Sequence, residues 1–214
     1  MRILIAGGHG KIARLLARIL ADDGHEPVAL IRNPDHAADV EEVGAQPLVL
    51  DLEAADPAEI ARHLEGVDAV VFAAGAGPGS TPERKLTVDR DGAVKLRHAA
   101  ELAGTSRYVL VSAIGADRFD PESDDVFQVY LRAKSEADAD LRSSELDWTI
   151  VRPGGLTDGP ATGLVEVAEE VERGEVARAD VAYVVAHVIT AHVALRQQFE
   201  LVAGSTPVAE ALNR

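Results

Sequence analysis

Apolar residues gather in short runs along this chain, and between runs they recur with a helical period. Ile3-Leu4-Ile5-Ala6 is the first run. Ile12, Leu15, Leu16, Ile19 and Leu20 follow at i, i+3, i+4, i+7 and i+8, the stripe of a helix with one buried face. A second run spans residues 28–31, after the Asp22-Asp23-Gly24 turn, and Arg32-Asn33-Pro34-Asp35 ends it. A helix over about 37–43 and a third strand at 47–50, closed by Asp51-Leu52, come next. Asp56-Pro57 predicts a helix start, with Asp at the N-cap and Pro in the first turn. Residues 68–72 read as a fourth strand ending in Ala73-Ala74-Gly75, and 75–82 as a glycine- and proline-rich loop. A long helix over 83–103 leads to a fifth strand at 107–111 that ends in Ser112-Ala113. A polar loop over 114–123 and a helix over 124–143 precede a sixth strand at 148–151. Arg152-Pro153-Gly154-Gly155 stops that strand. Residues 156–175 read as irregular, with a short strand around 164–167, then a helix over 180–193, a strand at 199–202 and a helix at 208–212.

Strands alternating with helices predict an α/β protein with a parallel sheet covered on both faces. The first strand runs into the helix through Gly7-Gly8-His9-Gly10-Lys11-Ile12-Ala13. Gly8-x-Gly10-x-x-Ala13 fits the general dinucleotide fingerprint, and Gly7-x-x-Gly10-x-x-Ala13 fits a related spacing. Glycines let the backbone approach a pyrophosphate, and the helix N-terminus offers unpaired N–H groups to it. A triphosphate P-loop is disfavoured, because Ile5 and Ile12 stand where it needs Gly and Ser or Thr. The expectation is a Rossmann-type doubly wound sheet of order 3-2-1-4-5-6-7 in a three-layer αβα stack. It forms a single domain over 1–214, with a small substrate-side segment at about 156–176.

Composition narrows the class. Hydrophobic residues make up 47% of 214, enough for one sizeable core. No apolar run reaches the ~18 residues of a membrane span. Met1-Arg2 passes straight into a strand, which predicts no signal peptide. Cysteine is absent, so disulfides, thiolate metal sites and a cysteine nucleophile are excluded, and a cytoplasmic setting is expected. The net charge of −15 argues against nucleic acid and anionic membranes as partners. The expected partner is a small molecule, and the expected state a monomer or homodimer. Four lysines (Lys11, Lys85, Lys95, Lys134) among many arginines fit either a salt-rich cytoplasm or codon bias. The histidines are scattered, with His187 and His192 five apart, so no metal site is expected.

Candidate chemistry falls at strand ends. Arg32 follows the second strand, where a guanidinium suits the 2′-phosphate of NADP. Asp35, three residues on, is the alternative, an acid for the ribose of NAD. Tyr130 and Lys134 are i, i+4 on one helix face, and Ser112 ends the neighbouring strand. An ammonium beside the phenol is expected to lower its pKa and make it a usable acid or base. Ser112 is expected to hold a substrate carbonyl.

With these motifs the chain resembles the atypical short-chain dehydrogenases/reductases. The likeness is to the small NAD(P)H-binding group related to flavin/biliverdin-IXβ reductase, NmrA-like proteins and the NAD-dependent epimerase/dehydratases. It rests also on Val88-Asp89-Arg90-Asp91-Gly92, Thr149-Ile150-Val151-Arg152-Pro153-Gly154-Gly155-Leu156 and Phe199-Glu200-Leu201-Val202-Ala203-Gly204. The resemblance implies that Gly7, His9, Gly10, Lys11 and Ile12 surround the pyrophosphate. It implies that Arg32 meets the adenosine ribose or its phosphate, and Asp51 and Leu52 the adenine. Ala73, Ala74 and Gly75 would line the ribose and nicotinamide side. Lys134 would bond the nicotinamide ribose, and Pro153, Gly154 and Gly155 would meet the carboxamide end. Asp89 stands near where many relatives carry a helical asparagine. The implied activity is NADP-dependent hydride transfer at a small carbonyl or similar centre, with Ser112, Tyr130 and Lys134 catalytic. The short stretch after the sixth strand favours a small substrate over a nucleotide sugar. Two other functions stay open: an NADP-binding regulator without catalysis, and a flavin or quinone reductase that needs no tyrosine acid.

Overall fold

β1 (Arg2–Ala6) divides its side chains between two cores: Ile3 and Ile5 enter one, Leu4 and Ala6 the other. A strand buried on both faces belongs to a parallel sheet with helices on each side. The computed structural model, which describes residues 1–77 and 79–213, has this architecture. β2 (Glu26–Ile31), β3 (Gln46–Val49), β4 (Ala69–Phe72), β5 (Arg107–Val111) and β6 (Asp147–Pro153) join β1. After β7 (Gly155–Thr157), β8 (Leu164–Ala168) and β9 (Glu175–Ala177) comes β10 (Gln197–Ala203), and β11 (Thr206–Pro207) is last. The parallel part runs β3-β2-β1-β4-β5-β6-β10, which is the expected order with β10 as the seventh strand.

Two details correct the expected sheet. β8 and β11 extend it past β10, and both pairings are antiparallel. Val165 is buried and sits opposite Ala203, so β8 covers the edge that β10 would otherwise expose. Residues 156–175 are also less irregular than expected, because β7 and β9 pair as a small parallel sheet of their own.

Helices α1 (Lys11–Asp22) and α7 (Arg178–Thr190) pack on one face, with α2 (Ala37–Glu41) beside them. The opposite face carries α3 (Pro57–Arg62), α5 (Ala93–Ala103) and α6 (Val126–Arg142). α8 (Val208–Ala211) closes the described chain. The Asp56 cap forms as expected, its carboxylate accepting from the Glu59 N–H at 2.8 Å.

The long helix expected over 83–103 has three parts. One α turn, α4 (Pro82–Arg84), leads into eight residues of π-helix, Lys85–Gly92, and then into α5. The 3.6-residue period of the sequence does not report a change of hydrogen-bond register, so the apolar pattern alone predicts plain helix here. A π segment widens the turn and shifts the phase of the side chains that follow, and such segments cluster at functional sites.

Candidate functional site

The glycine turn is wedged between its neighbours. Gly7 has φ +77, and a Cβ there would stand 2.5 Å from Ala74 Cα. A Cβ on Gly8 would stand 2.8 Å from Ala29 Cα. Gly10 caps α1 with no side-chain hydrogen bond, and the first turn of that helix carries no acid. The first N–H groups of a 12-residue helix are thus left for an anion. A diphosphate fits this turn.

Two clefts meet here. The first, of about 380 Å³, is lined by the glycine turn, Arg32, His36, Asp51, Leu52 and Glu53. The second, of about 820 Å³, is lined by Ile12, Lys85, Asp89, Ser112, Tyr130 and Lys134 among others. Ala73, Ala74 and Gly75 line both, so the clefts form one continuous depression along the ends of β1, β4 and β5. A ligand with an adenosine end and a second end matches that shape.

Most of the residues singled out from the sequence line these clefts, but their partners were not visible there. Arg32 lines the first cleft and donates to Glu53 at 3.0 Å. Arg84 donates to the same Glu53 oxygen at 2.8 Å, and Thr87 to the other at 2.7 Å. The Thr87 hydrogen bond, opposed by burial and aided by both arginines, holds the Glu53 carboxyl below its usual range. Asp35, the alternative acid, is not among the lining residues, so Glu53 is the carboxylate nearest Arg32. His9 bonds Asp39 at 2.7 Å and stacks on His36 with ring centroids 3.6 Å apart.

Lys11 points elsewhere. Its ammonium meets Asp158 at 2.6 Å, and Arg178 holds the other Asp158 oxygen at 2.7 Å. Neither Lys11 nor Pro153, Gly154 and Gly155 lines either cleft; Leu156 is the first of that segment to do so. Gly154 is spent on packing: a Cβ there would stand 2.3 Å from the Gly174 carbonyl oxygen.

Tyr130 and Lys134, i and i+4 on α6, line the second cleft; Asp138 follows at i+8, fully buried and outside that lining. Asp125 starts this helix by accepting from the N–H groups of Phe127 and Gln128. Lys134 is 3% exposed, and its ammonium lies 3.3 Å from Asp89, which is 1% exposed. It also donates to the Val111 carbonyl at 3.2 Å and stands 5.8 Å from the Tyr130 ring centroid. Burial works against this charge, yet Asp89, Tyr130 and Asp138 together hold the ammonium above the usual lysine range. The Asp89 carboxylate in turn accepts from the Ala76 N–H at 3.0 Å, joining the π segment to the loop after β4.

The expected lowering of the phenol pKa does not occur. Burial pushes Tyr130 up; Lys134 pulls it down, while Asp89 and Asp138 add to the rise. The Lys134 charge is shared with Asp89, so the phenol stays a neutral donor. Ser112 also has an unexpected partner: it donates to Asp138 at 2.8 Å, with both residues buried. Arg152 binds the same Asp138 oxygen and reaches Asp117 at 2.8 and 3.0 Å. Hydrogen bonds from Arg152 hold the Asp117 carboxyl below its usual range. The Ser112 proton thus points to α6, and its lone pairs are what remain for the cleft. The i+8 position of Asp138 on the Tyr130–Lys134 side of α6 was the sequence signal for the Ser112 partner.

A buried acid braces the loops around the cleft. Glu200 on β10 is 3% exposed and accepts from the Gly115 N–H at 2.9 Å and the Val171 N–H at 3.0 Å. Arg118 adds a third bond at 3.2 Å.

A Rossmann turn with an uncapped helix end, opening into a cleft with a buried Tyr, Lys and Asp, defines a dinucleotide-binding protein. The chain belongs to the family described as NAD(P)H-binding, which it matches over residues 7–192. It is 37% identical to an uncharacterized sugar epimerase, YhfK, of Bacillus subtilis, over 100% of both chains. A solved Bacillus halodurans structure, named provisionally as an NAD-dependent epimerase/dehydratase, superposes with TM-score 0.90. It is 36% identical, with 100% of this chain and 99% of that one covered. ChuY, an anaerobilin reductase of Escherichia coli O157:H7, superposes with TM-score 0.79 at 26% identity. That match covers 95% of this chain and 97% of ChuY. Among the described residues no helix is long and apolar enough to cross a membrane, and no group of three or more His, Asp or Glu side chains could hold a metal ion.

Proposed function

We propose that the protein is an NADPH-dependent oxidoreductase of the short-chain type that reduces a carbonyl or similar centre on a small molecule. The observation that carries this reading is the placement of Tyr130 and Lys134 in the cleft that continues the glycine-turn cleft past Ala73–Gly75. Bound NADPH supplies a hydride. Tyr130 gives its phenolic proton to the substrate oxygen as that oxygen gains charge, and takes one back from solvent afterwards. Lys134 meets the negative charge that forms on the phenol, and Asp89 keeps Lys134 charged and in place. Ser112 accepts a hydrogen bond from the product hydroxyl while its own O–H goes on donating to Asp138.

NADP over NAD is supported by charge. Arg32 and Arg84 place two guanidiniums against the single Glu53 carboxylate, which leaves one positive charge for a 2′-phosphate. The roles of Gly7, His9, Gly10 and Ile12 around the pyrophosphate belong to the same proposal, as do those of Asp51 and Leu52 at the adenine.

The test is Tyr130→Phe, assayed with NADPH against 4-nitrobenzaldehyde and menadione. Aldehyde reduction is expected to fall roughly 10²–10⁴-fold, the usual contribution of a positioned acid. Cofactor affinity is expected to stay near wild type. A second reading is favoured by the neutralised Lys134: hydride transfer to a flavin or quinone, which needs no phenol. Full menadione turnover in Tyr130→Phe, with no aldehyde turnover in wild type, would select it. Tight NADPH binding with no turnover of either compound would point instead to a regulator.

A further inference from the structure

Lys85 and Lys134 both line the second cleft, but only one of them is neutralised. Lys134 has the Asp89 carboxylate. Lys85 is 9% exposed, and no carboxylate among the described residues lies within 4.0 Å of its ammonium. Its one hydrogen bond among the described residues is to the Gly77 carbonyl at 2.8 Å, and it stands 5.3 Å from the Tyr130 ring centroid. An ammonium has three N–H donors, so two remain. A buried charge without a counter-charge is costly, and in a cleft an anionic ligand relieves that cost. Ser80 lines the same cleft, and its hydroxyl oxygen is buried with no hydrogen-bond partner among the described residues.

Apolar side chains line the cleft as well. Val126, Phe127 and Leu156 line this cleft and are 40%, 55% and 38% exposed. Phe127 also meets the Tyr130 ring in a tilted pair with centroids 6.1 Å apart. Ligand sites combine such apolar walls with a few placed polar groups.

We propose that Lys85 and Ser80 form a carboxylate subsite, and that the substrate is amphipathic, with one carboxylate and an apolar, ring-sized body lying on Phe127, Val126 and Leu156. One ammonium and one hydroxyl match a single negative charge. The chain's net charge of −15 makes a local cation necessary for any anion to settle here. The assignment rests on the reading of the second cleft as the substrate site.

The experiment is calorimetric titration of the whole protein with 2-naphthoate and its neutral counterpart 2-naphthamide, in saturating NADP⁺ to keep the probe out of the first cleft, and again without NADP⁺. Naphthoate is expected to bind about tenfold tighter than the amide, the strength of a charge-assisted hydrogen bond. Lys85→Met is expected to abolish the preference, and Lys85→Arg to retain it. Lys85→Gln, which can still donate to Gly77, replaces Lys85→Met if that variant does not fold. Arg173→Ala, which removes an exposed positive charge outside both clefts, is expected to leave the preference unchanged. Equal affinities in wild type, no binding of naphthoate, a preference that survives Lys85→Met, or one that disappears in Arg173→Ala would each overturn the subsite. Because binding requires no hydride transfer, an inactive protein that still prefers naphthoate would refute the oxidoreductase reading and keep the subsite.

Discussion

The buried Lys134 ammonium lies 3.3 Å from the Asp89 carboxylate, across the gap between α6 and the π segment. Burial raises the phenol pKa of the neighbouring Tyr130, and the two members of the pair act on it in opposite senses, Lys134 lowering it and Asp89 adding to the rise. Asp89→Asn removes one upward contribution and releases Lys134 toward the phenol. The alkaline limb of carbonyl reduction is therefore expected to move to lower pH. A tyrosinate absorbance titration, with Tyr130→Phe subtracted, checks the same shift without turnover. A limb that stays in place or moves up would show that Asp89 does not act on Tyr130.

The sign carries over to stability. The folded pKa of Tyr130 lies above its unfolded value of about 10, so its contribution is fully present below that pH and is lost as pH rises through the folded value. Urea unfolding at pH 9 and 11 is expected to show a smaller loss of stability in Tyr130→Phe than in wild type. An identical loss in the two proteins would refute the shift.

Arg32→Ala is expected to weaken NADP binding about tenfold or more, since hydrogen bonds to a charged partner contribute about 1.5–3 kcal/mol. NAD affinity is expected to change little. Glu53 keeps Arg84 and Thr87 as partners, so the cleft wall survives the substitution. Calorimetry with both cofactors decides it, and unchanged NADP affinity sinks the 2′-phosphate assignment.

Asp138→Ala strips Arg152 and Ser112 of a shared buried partner. Breaking a buried pair by removing one partner costs about 3–5 kcal/mol. Burial raises the Asp138 pKa despite Arg152, and Asp117 still holds the guanidinium, so the low end, about 3 kcal/mol, is expected. Chemical denaturation at pH 7 measures it; a stabilised variant would mean the charge is a net burden.

The melting temperature of the cofactor-free protein is expected to rise between low and molar KCl. Fifteen excess negative charges repel one another, and the screening length falls from ~10 Å at 0.1 M to ~3 Å at 1 M. A flat or falling curve would show that ion pairs such as Arg97–Asp140 and Arg90–Glu136 already balance the surface, and would favour codon bias over salt adaptation.

The elements legible in the sequence were those set by local pattern. β5 spans the expected residues 107–111, and Asp56 caps α3 as its side chain predicts. The stripe from Ile12 to Leu20 gave α1, and the glycine spacing gave the turn before it. What stayed hidden depends on meetings between distant residues. Glu53 reaches Arg32 across 21 positions, and Asp89 reaches Lys134 between two helices. Ser112 was read as facing a substrate because a strand end says where a hydroxyl sits, while its bond direction depends on Asp138. The π segment escaped because its apolar pattern is that of any helix end, and only the backbone register sets it apart.

Glu200 holds the cleft-side loops through the main-chain N–H groups of Gly115 and Val171, which every residue except proline can provide. The anchor is blind to the side chains the loops carry. Residues 119–124 and 169–173 can then be exchanged like the bits of a drill while the chuck stays on β10. A library randomised in those stretches should yield folded proteins with new ligand preferences at a high rate, and the same library built on Glu200→Ala should not.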